Sequence, residues 1–187
     1  MTWKSFHHRG DVLRDVIAAA DARGDGLVPM DVPGAAETFG DELTLIGALQ
    51  LRWHTRLAGR LERELMAQPG DMEALDAAVI AAWHATADDL PGTRAIVDRY
   101  RAEPLDEAMA MALAKAAAKE RTLLAVMAGR VSTNVNGPDA VAVRVGEEIE
   151  ARARASYRRP VQVASEGPAH LGPRPGLMGR LRAALAA

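Results

Sequence analysis

Glu42-Leu43-Thr44-Leu45-Ile46-Gly47-Ala48-Leu49-Gln50-Leu51-Arg52-Trp53-His54-Thr55-Arg56-Leu57-Ala58-Gly59-Arg60-Leu61-Glu62-Arg63-Glu64-Leu65-Met66 is the stretch that decides the fold. Leu43, Ile46, Leu49, Trp53, Leu57, Leu61 and Leu65 recur at intervals of three and four, which places them on one face of an α-helix and leaves the opposite face polar. Asp41 stands where an N-cap is needed, and Gln68-Pro69-Gly70 closes the helix. The helix spans about 25 residues, or about 37 Å at 1.5 Å per residue. Its one-sided apolar stripe must be covered by other elements.

Outward from it the same period recurs. Trp3, Phe6, Leu13, Val16, Ile17 and Ala20 form a first helix that stops at Arg23-Gly24-Asp25-Gly26. Leu27–Gly40 is a loop held open by Pro29 and Pro33, with room for one helical turn at Ala35–Phe39. Beyond the long second helix, a third is capped by Asp71 and carries Met72, Leu75, Val79 and Trp83 up to Asp88-Asp89-Leu90-Pro91-Gly92. A short fourth holds Ile96, Val97 and Tyr100 and ends before Pro104. A fifth runs from Leu105 to Arg130 with Met109, Leu113, Ala116, Leu123 and Met127 in register, and a sixth covers Asp139–Tyr157. No stretch sustains the alternation of a strand. The expected architecture is therefore all-α, an antiparallel bundle of about five to six helices over residues 1–157. A Pro/Gly/Arg-rich arm occupies residues 158–187.

Charge divides the chain at nearly the same place. Residues 1–151 hold 16 Lys/Arg against 24 Asp/Glu, whereas residues 152–187 hold 7 Arg against Glu166 alone. The acidic body disfavours nucleic acid, and no Lys/Arg cluster is read along a face of the first five helices. Arg152, Arg154 and Arg158 belong to a helix end, where cations complement the macrodipole, so the free basic segment starts nearer Pro160. Alanine supplies 38 residues and aromatics only 7, which favours helices that approach closely over a bulky core. Such alanine-rich packing suits a homo-oligomer as well as a single chain. Twenty Arg against 3 Lys points to a GC-rich bacterial source. Without cysteine there is no disulfide and no thiolate chemistry. Neither a secretory leader nor a membrane span is read, so the cytoplasm is the expected location.

Candidate chemistry comes from polar residues on apolar faces. At 100° per residue, Gln50, His54 and Glu64 fall within about 50° of the centre of the second helix's apolar stripe, and Glu120 lies amid that of the fifth. His54, Glu64 and Glu120 could form a metal or acid-base site of a helix-bundle oxidoreductase. Against this, the chain has no Glu-x-x-His pair, and His54 and Glu64 are about 15 Å apart along one axis. Pairing of the two glutamates with arginine, and hydrogen bonding by Gln50 and His54, accounts for the same residues. A bundle of small residues with interspersed methionine can also leave an apolar-ligand pocket between the second and fifth helices. His84 is expected to be exposed and Trp83 to fill core. His7-His8 near Asp11 and Asp15 is read as solvated rather than metal-binding. Phosphate-loop, zinc-protease, serine-hydrolase and dinucleotide motifs are all missing. No catalytic residue and no cofactor is assigned.

The terminal segment 176–187 places Leu177, Met178, Leu181 and Leu185 at amphipathic spacing after a Pro/Gly spacer, among Arg174, Arg180 and Arg182. This is the form of a docking peptide. Met178-Gly179-Arg180-Leu181-Arg182 resembles the C-terminal loading peptides of cargo proteins of bacterial encapsulin shells, in which Gly is followed by a small residue, Leu and a basic residue. Arg180 departs from that pattern, which has a small hydroxyl residue there. The expected function is that of a non-enzymatic helical accessory or regulatory protein that binds another protein, or nucleic acid, through this arm.

Overall fold

The computed structural model describes residues 3–67, 72–132 and 139–158, with side chains from His8 onward. Over these residues the chain is an all-α bundle of seven helices and no strand: α1 (Trp3–Arg23), α2 (Ala35–Phe39), α3 (Glu42–Ala67), α4 (Met72–Asp89), α5 (Pro91–Ala102), α6 (Glu107–Met127) and α7 (Ala140–Ser156). The single turn anticipated at Ala35–Phe39 is α2, so the six longer helices are the expected ones. None of the described helices is long and apolar enough to cross a membrane.

Local chemistry sets the boundaries. Asp41 Oδ1 accepts the Thr44 amide at 2.7 Å, Asp106 Oδ1 the Met109 amide at 2.7 Å, and Asp139 Oδ1 the Val141 amide at 2.9 Å. Each satisfies an amide that the first helical turn leaves without a carbonyl. Pro91 at the first position of α5 ends α4 and starts the next helix in one step. α6 is shorter than the expected Leu105–Arg130. Asp106 caps its start, and at its other end Gly129 takes a left-handed φ of 67° while the Arg130 amide returns to the Ala125 carbonyl. The expected cap Asp71 lies outside the described residues.

Two apolar clusters meet along α3. Its first half packs with Val12, Val16 and Ala20 of α1, Phe39 of α2, Ile96 and Tyr100 of α5, and Met109 and Leu113 of α6. Its second half packs with Val79 and Trp83 of α4, Leu124 of α6 and Ile149 of α7. Trp53 and Trp83 meet edge to face with centroids 5.9 Å apart, a favoured aromatic geometry. α3 packs against α4 through Trp53 and Trp83, and α6 against α7 where the Arg121 backbone meets Gly146.

Two glycines let backbones touch. A Cβ at Gly146 would sit 1.8 Å from the Arg121 carbonyl oxygen, and one at Gly92 would sit 2.3 Å from the Ala20 carbonyl carbon. The Gly92 amide also donates to Asp21 Oδ1 at 2.7 Å. α7 is thus pressed onto α6, and α5 onto the end of α1.

Three expectations need correction. Arg52, Arg56 and Arg60 recur every fourth residue, so α3 does carry a basic face. Arg56 and Arg60 close on Asp89 Oδ2, both at 2.7 Å, and overall charge concealed that local arrangement. His84 is half-buried rather than exposed: its Nε2 lies 2.8 Å from the Ala153 carbonyl oxygen, and its ring packs beside Trp83 and Tyr157. A wheel drawn on α4 alone could not see that the end of α7 covers its flank. On α6, Ala117 faces the core, whereas Ala116 is half-buried at the edge of a groove.

Candidate functional site

Where α5, α6 and α7 converge, the polar residues of their inward faces form one ion-pair network. Glu120 is 2 % exposed; its Oε1 accepts from Arg94 Nη1 at 3.1 Å and its Oε2 from Arg101 Nη2 at 3.0 Å. Glu150 takes Arg121 Nε at 3.0 Å, Arg154 Nη2 at 2.7 Å and Arg101 Nη1 at 3.4 Å. Arg94 also bonds Asp98, and Arg154 reaches both oxygens of Asp98 at 2.8 and 2.9 Å. The Arg94 guanidinium lies 4.8 Å from the Trp53 ring centroid and 5.7 Å from that of Trp83, in cation–π reach of both. A second, smaller cluster joins Arg130 and Arg152 to the buried Asp76.

This surround fixes protonation. Burial by itself would raise the Asp98 carboxyl, but hydrogen bonds from Arg154 and Arg94 hold it down at about 2. The Glu150 carboxyl, pushed up by burial, is likewise held below its ordinary value by Arg154, Arg121 and Arg94. Arg154, which burial would lower, is raised instead by Asp98 and Glu150. A general acid or base works best with its pKa near the operating pH. Asp98 and Glu150 are both shifted toward the ionised form, away from neutral pH, which suits a structural lock better than proton transfer.

Beside the network, residues of α3 and α6 line a groove of about 310 Å³. Leu43, Ile46, Leu51 and Leu113 make its apolar walls, and Gln50, Trp53, His54, Lys119 and Glu120 also line it. Gln50 Nε2 and Trp53 Nε1 are buried without a hydrogen-bond partner. On the other side of Leu51 a second hollow of about 520 Å³, lined by Gly10, Leu13, Ala48 and Arg52, continues toward α1; Gly47 and Leu51 border both. Leu51 itself is 67 % exposed. Gly47 differs from Gly92 and Gly146, because a Cβ placed on it would meet nothing within 4 Å. A glycine inside a helix costs about 1 kcal/mol relative to alanine, and here no backbone contact requires it.

The sequence-derived candidates separate. His54 and Glu120 border the same groove, whereas Glu64 is half-buried farther along α3 and does not. Among the described residues no three His, Asp or Glu side chains come together as metal ligands. Arg174, Leu177, Met178, Arg180, Leu181, Arg182 and Leu185 lie outside the described residues, as does the loading-peptide resemblance. Sequence reasoning flagged Glu120 and missed its partners. Glu150 was within reach, since it shares the face of Ala142, Gly146, Ile149 and Ala153. Arg94 and Arg101 carry no such mark, because arginine on a short helix gives no sign of which carboxylate will meet it. Position at a helix end makes Arg152 and Arg154 dipole partners by sequence, whereas the structure puts them on Asp76, Asp98 and Glu150.

In comparisons with known proteins, the chain matches no family model, no curated protein and no solved structure.

Proposed function

We propose that this is a non-enzymatic cytoplasmic accessory or regulatory protein that binds another protein through residues 158–187. The observation that carries this reading is the capture of the last turn of α7. Arg154 is held by Asp98 and Glu150, Arg152 by Asp76, and the Tyr157 hydroxyl donates to Asp88 at 2.8 Å. Arg152 and Arg154 near the end of α7 are thereby matched to body carboxylates, and Tyr157 is tied to α4. Residues 159–187 carry four Arg against one Glu, whereas residues 1–158 retain 24 acidic against 19 basic side chains. A contact with an acidic, partly apolar surface fits this asymmetry better than catalysis fits carboxylates already neutralised by arginine.

The test compares the full chain with a variant carrying Leu177→Ser, Leu181→Ser, Leu185→Ser, Arg180→Ser and Arg182→Ser. Both are used as bait in nuclease-treated extract of the source cells and melted in parallel. The full chain is expected to retain a protein in saturable, near-stoichiometric amount, and the variant to lose it with an unchanged melting temperature. Equal retention by both removes the proposal, as does recovery that disappears with nuclease.

A further inference from the structure

We infer that the groove between α3 and α6 is a binding site for a small amphipathic carboxylic acid, a medium-chain fatty acid or one of similar size. Three observations converge on it. Its volume of about 310 Å³ lies at the small end of the roughly 300–1,000 Å³ typical of ligand pockets. Its walls are aliphatic, and a helix-interior glycine whose side-chain direction is empty keeps it open. It also holds hydrogen-bonding capacity that the fold leaves unused.

Gln50 is 8 % exposed and Trp53 1 % exposed, yet Gln50 Nε2 and Trp53 Nε1 have no partner. A buried donor left unpaired is costly, so a ligand acceptor that reaches either one adds binding energy that the apolar walls cannot. The charged neighbours select the ligand's sign. Glu120 presents no free oxygen pair, because Arg94 takes one oxygen and Arg101 the other. Lys119 and His54 also border the groove, and no ion pair within the described bundle engages either. Arg52 stands at the adjoining hollow. A carboxylate therefore meets donors and an uncommitted ammonium, and its chain lies along Leu43, Ile46 and Leu113. A cation would meet Lys119, and a purely apolar molecule would leave Gln50 unpaired.

The probes are decanoate and decanol, added to the full chain and followed by calorimetry and by the NMR signals of the Trp53 indole NH and the Gln50 side-chain amide. Decanoate is expected to bind saturably in the micromolar range and shift both signals, with decanol clearly weaker. Gly47→Leu, which projects a side chain into the groove from a position with no packing contact, is expected to fold with an equal or higher melting temperature and to lose the binding. Gln50→Leu keeps the apolar walls and is expected to weaken decanoate about tenfold, the scale of a hydrogen bond to a charged group. Absence of saturable binding overturns the assignment, as does undiminished binding by Gly47→Leu. Equal affinity for decanol overturns the carboxylate selectivity. None of these measurements involves residues 158–187, so their failure leaves the proposed partner contact standing, and the converse holds.

Discussion

Glu120 is the side chain on which sequence and structure most nearly coincide, and the coincidence has a limit. A helical wheel establishes that a face is buried, because burial is a property of one helix. It does not establish what meets that face, because Arg94 and Arg101 arrive from α5 at distances set by the packing of three helices. Neutralising one member of such a buried network leaves its partner's charge uncompensated, at a cost of roughly 3–5 kcal/mol. Glu120→Gln, which preserves shape and one acceptor, is expected toward the lower end of that range. Urea unfolding followed by circular dichroism measures it, and a change below about 1 kcal/mol, the scale of an ordinary hydrogen bond, would show that Arg94 and Arg101 are satisfied without this carboxylate. Gln50 teaches the complementary lesson: the wheel placed it among apolar residues, but that its amide nitrogen goes unpaired emerges only once every neighbour is in place.

At the scale of helices, the sequence was most legible where local rules operate. Asp41 was identifiable as a cap from its position before an apolar repeat, and it caps α3. α2 was foreseeable as a turn between proline and glycine. Less visible were the contacts that need a missing side chain, since a glycine in a helical stretch reads as a weak point until its neighbour is known. Gly146 and Gly92 are such contacts. Replacing either by alanine drives a methyl group into backbone atoms that cannot rotate away, so the helices must part. Overpacking of this kind costs roughly 1–3 kcal/mol or more, against a gain of up to about 1 kcal/mol in helix propensity. Gly146→Ala and Gly92→Ala are thus expected to lower the melting temperature, and Gly47→Ala to raise it. Three parallel thermal melts decide the matter; a Gly146→Ala protein as stable as the parent would mean that α6 and α7 do not touch through their backbones.

For the whole molecule, the ion-pair network sets the response to acid. The Asp98 carboxyl titrates at about 2 in the folded chain against an ordinary 3.8, and Glu150 is shifted in the same direction. A carboxyl whose folded pKa is depressed contributes stability that is complete above its unfolded pKa and disappears as pH falls through the folded one. Stability is expected to be level from about pH 5 upward with respect to these two groups, and to fall steadily between about pH 4 and pH 2. Urea midpoints across that range test it, with Asp98→Asn expected to flatten the slope; an acid limb unchanged in that variant would assign the titration to other carboxylates. The charge asymmetry was legible in composition, and the all-α architecture in periodicity. That the seam between α5, α6 and α7 is built from arginine was not legible, because the sum of charges over a chain carries no record of which ones meet.

The indoles of Trp53 and Trp83 stand 5.9 Å apart and nearly perpendicular, with the Tyr157 ring a further 5.9 Å beyond Trp83 and the Arg94 guanidinium over both indoles. Transition dipoles this close couple, so α3, α4 and the end of α7 share one optical signature. The same row of rings runs from the wall of the groove to Tyr157, just past the end of α7. Any event that tilts one ring against the next, at either end, is written directly into the molecule's own near-ultraviolet dichroism, with no label attached.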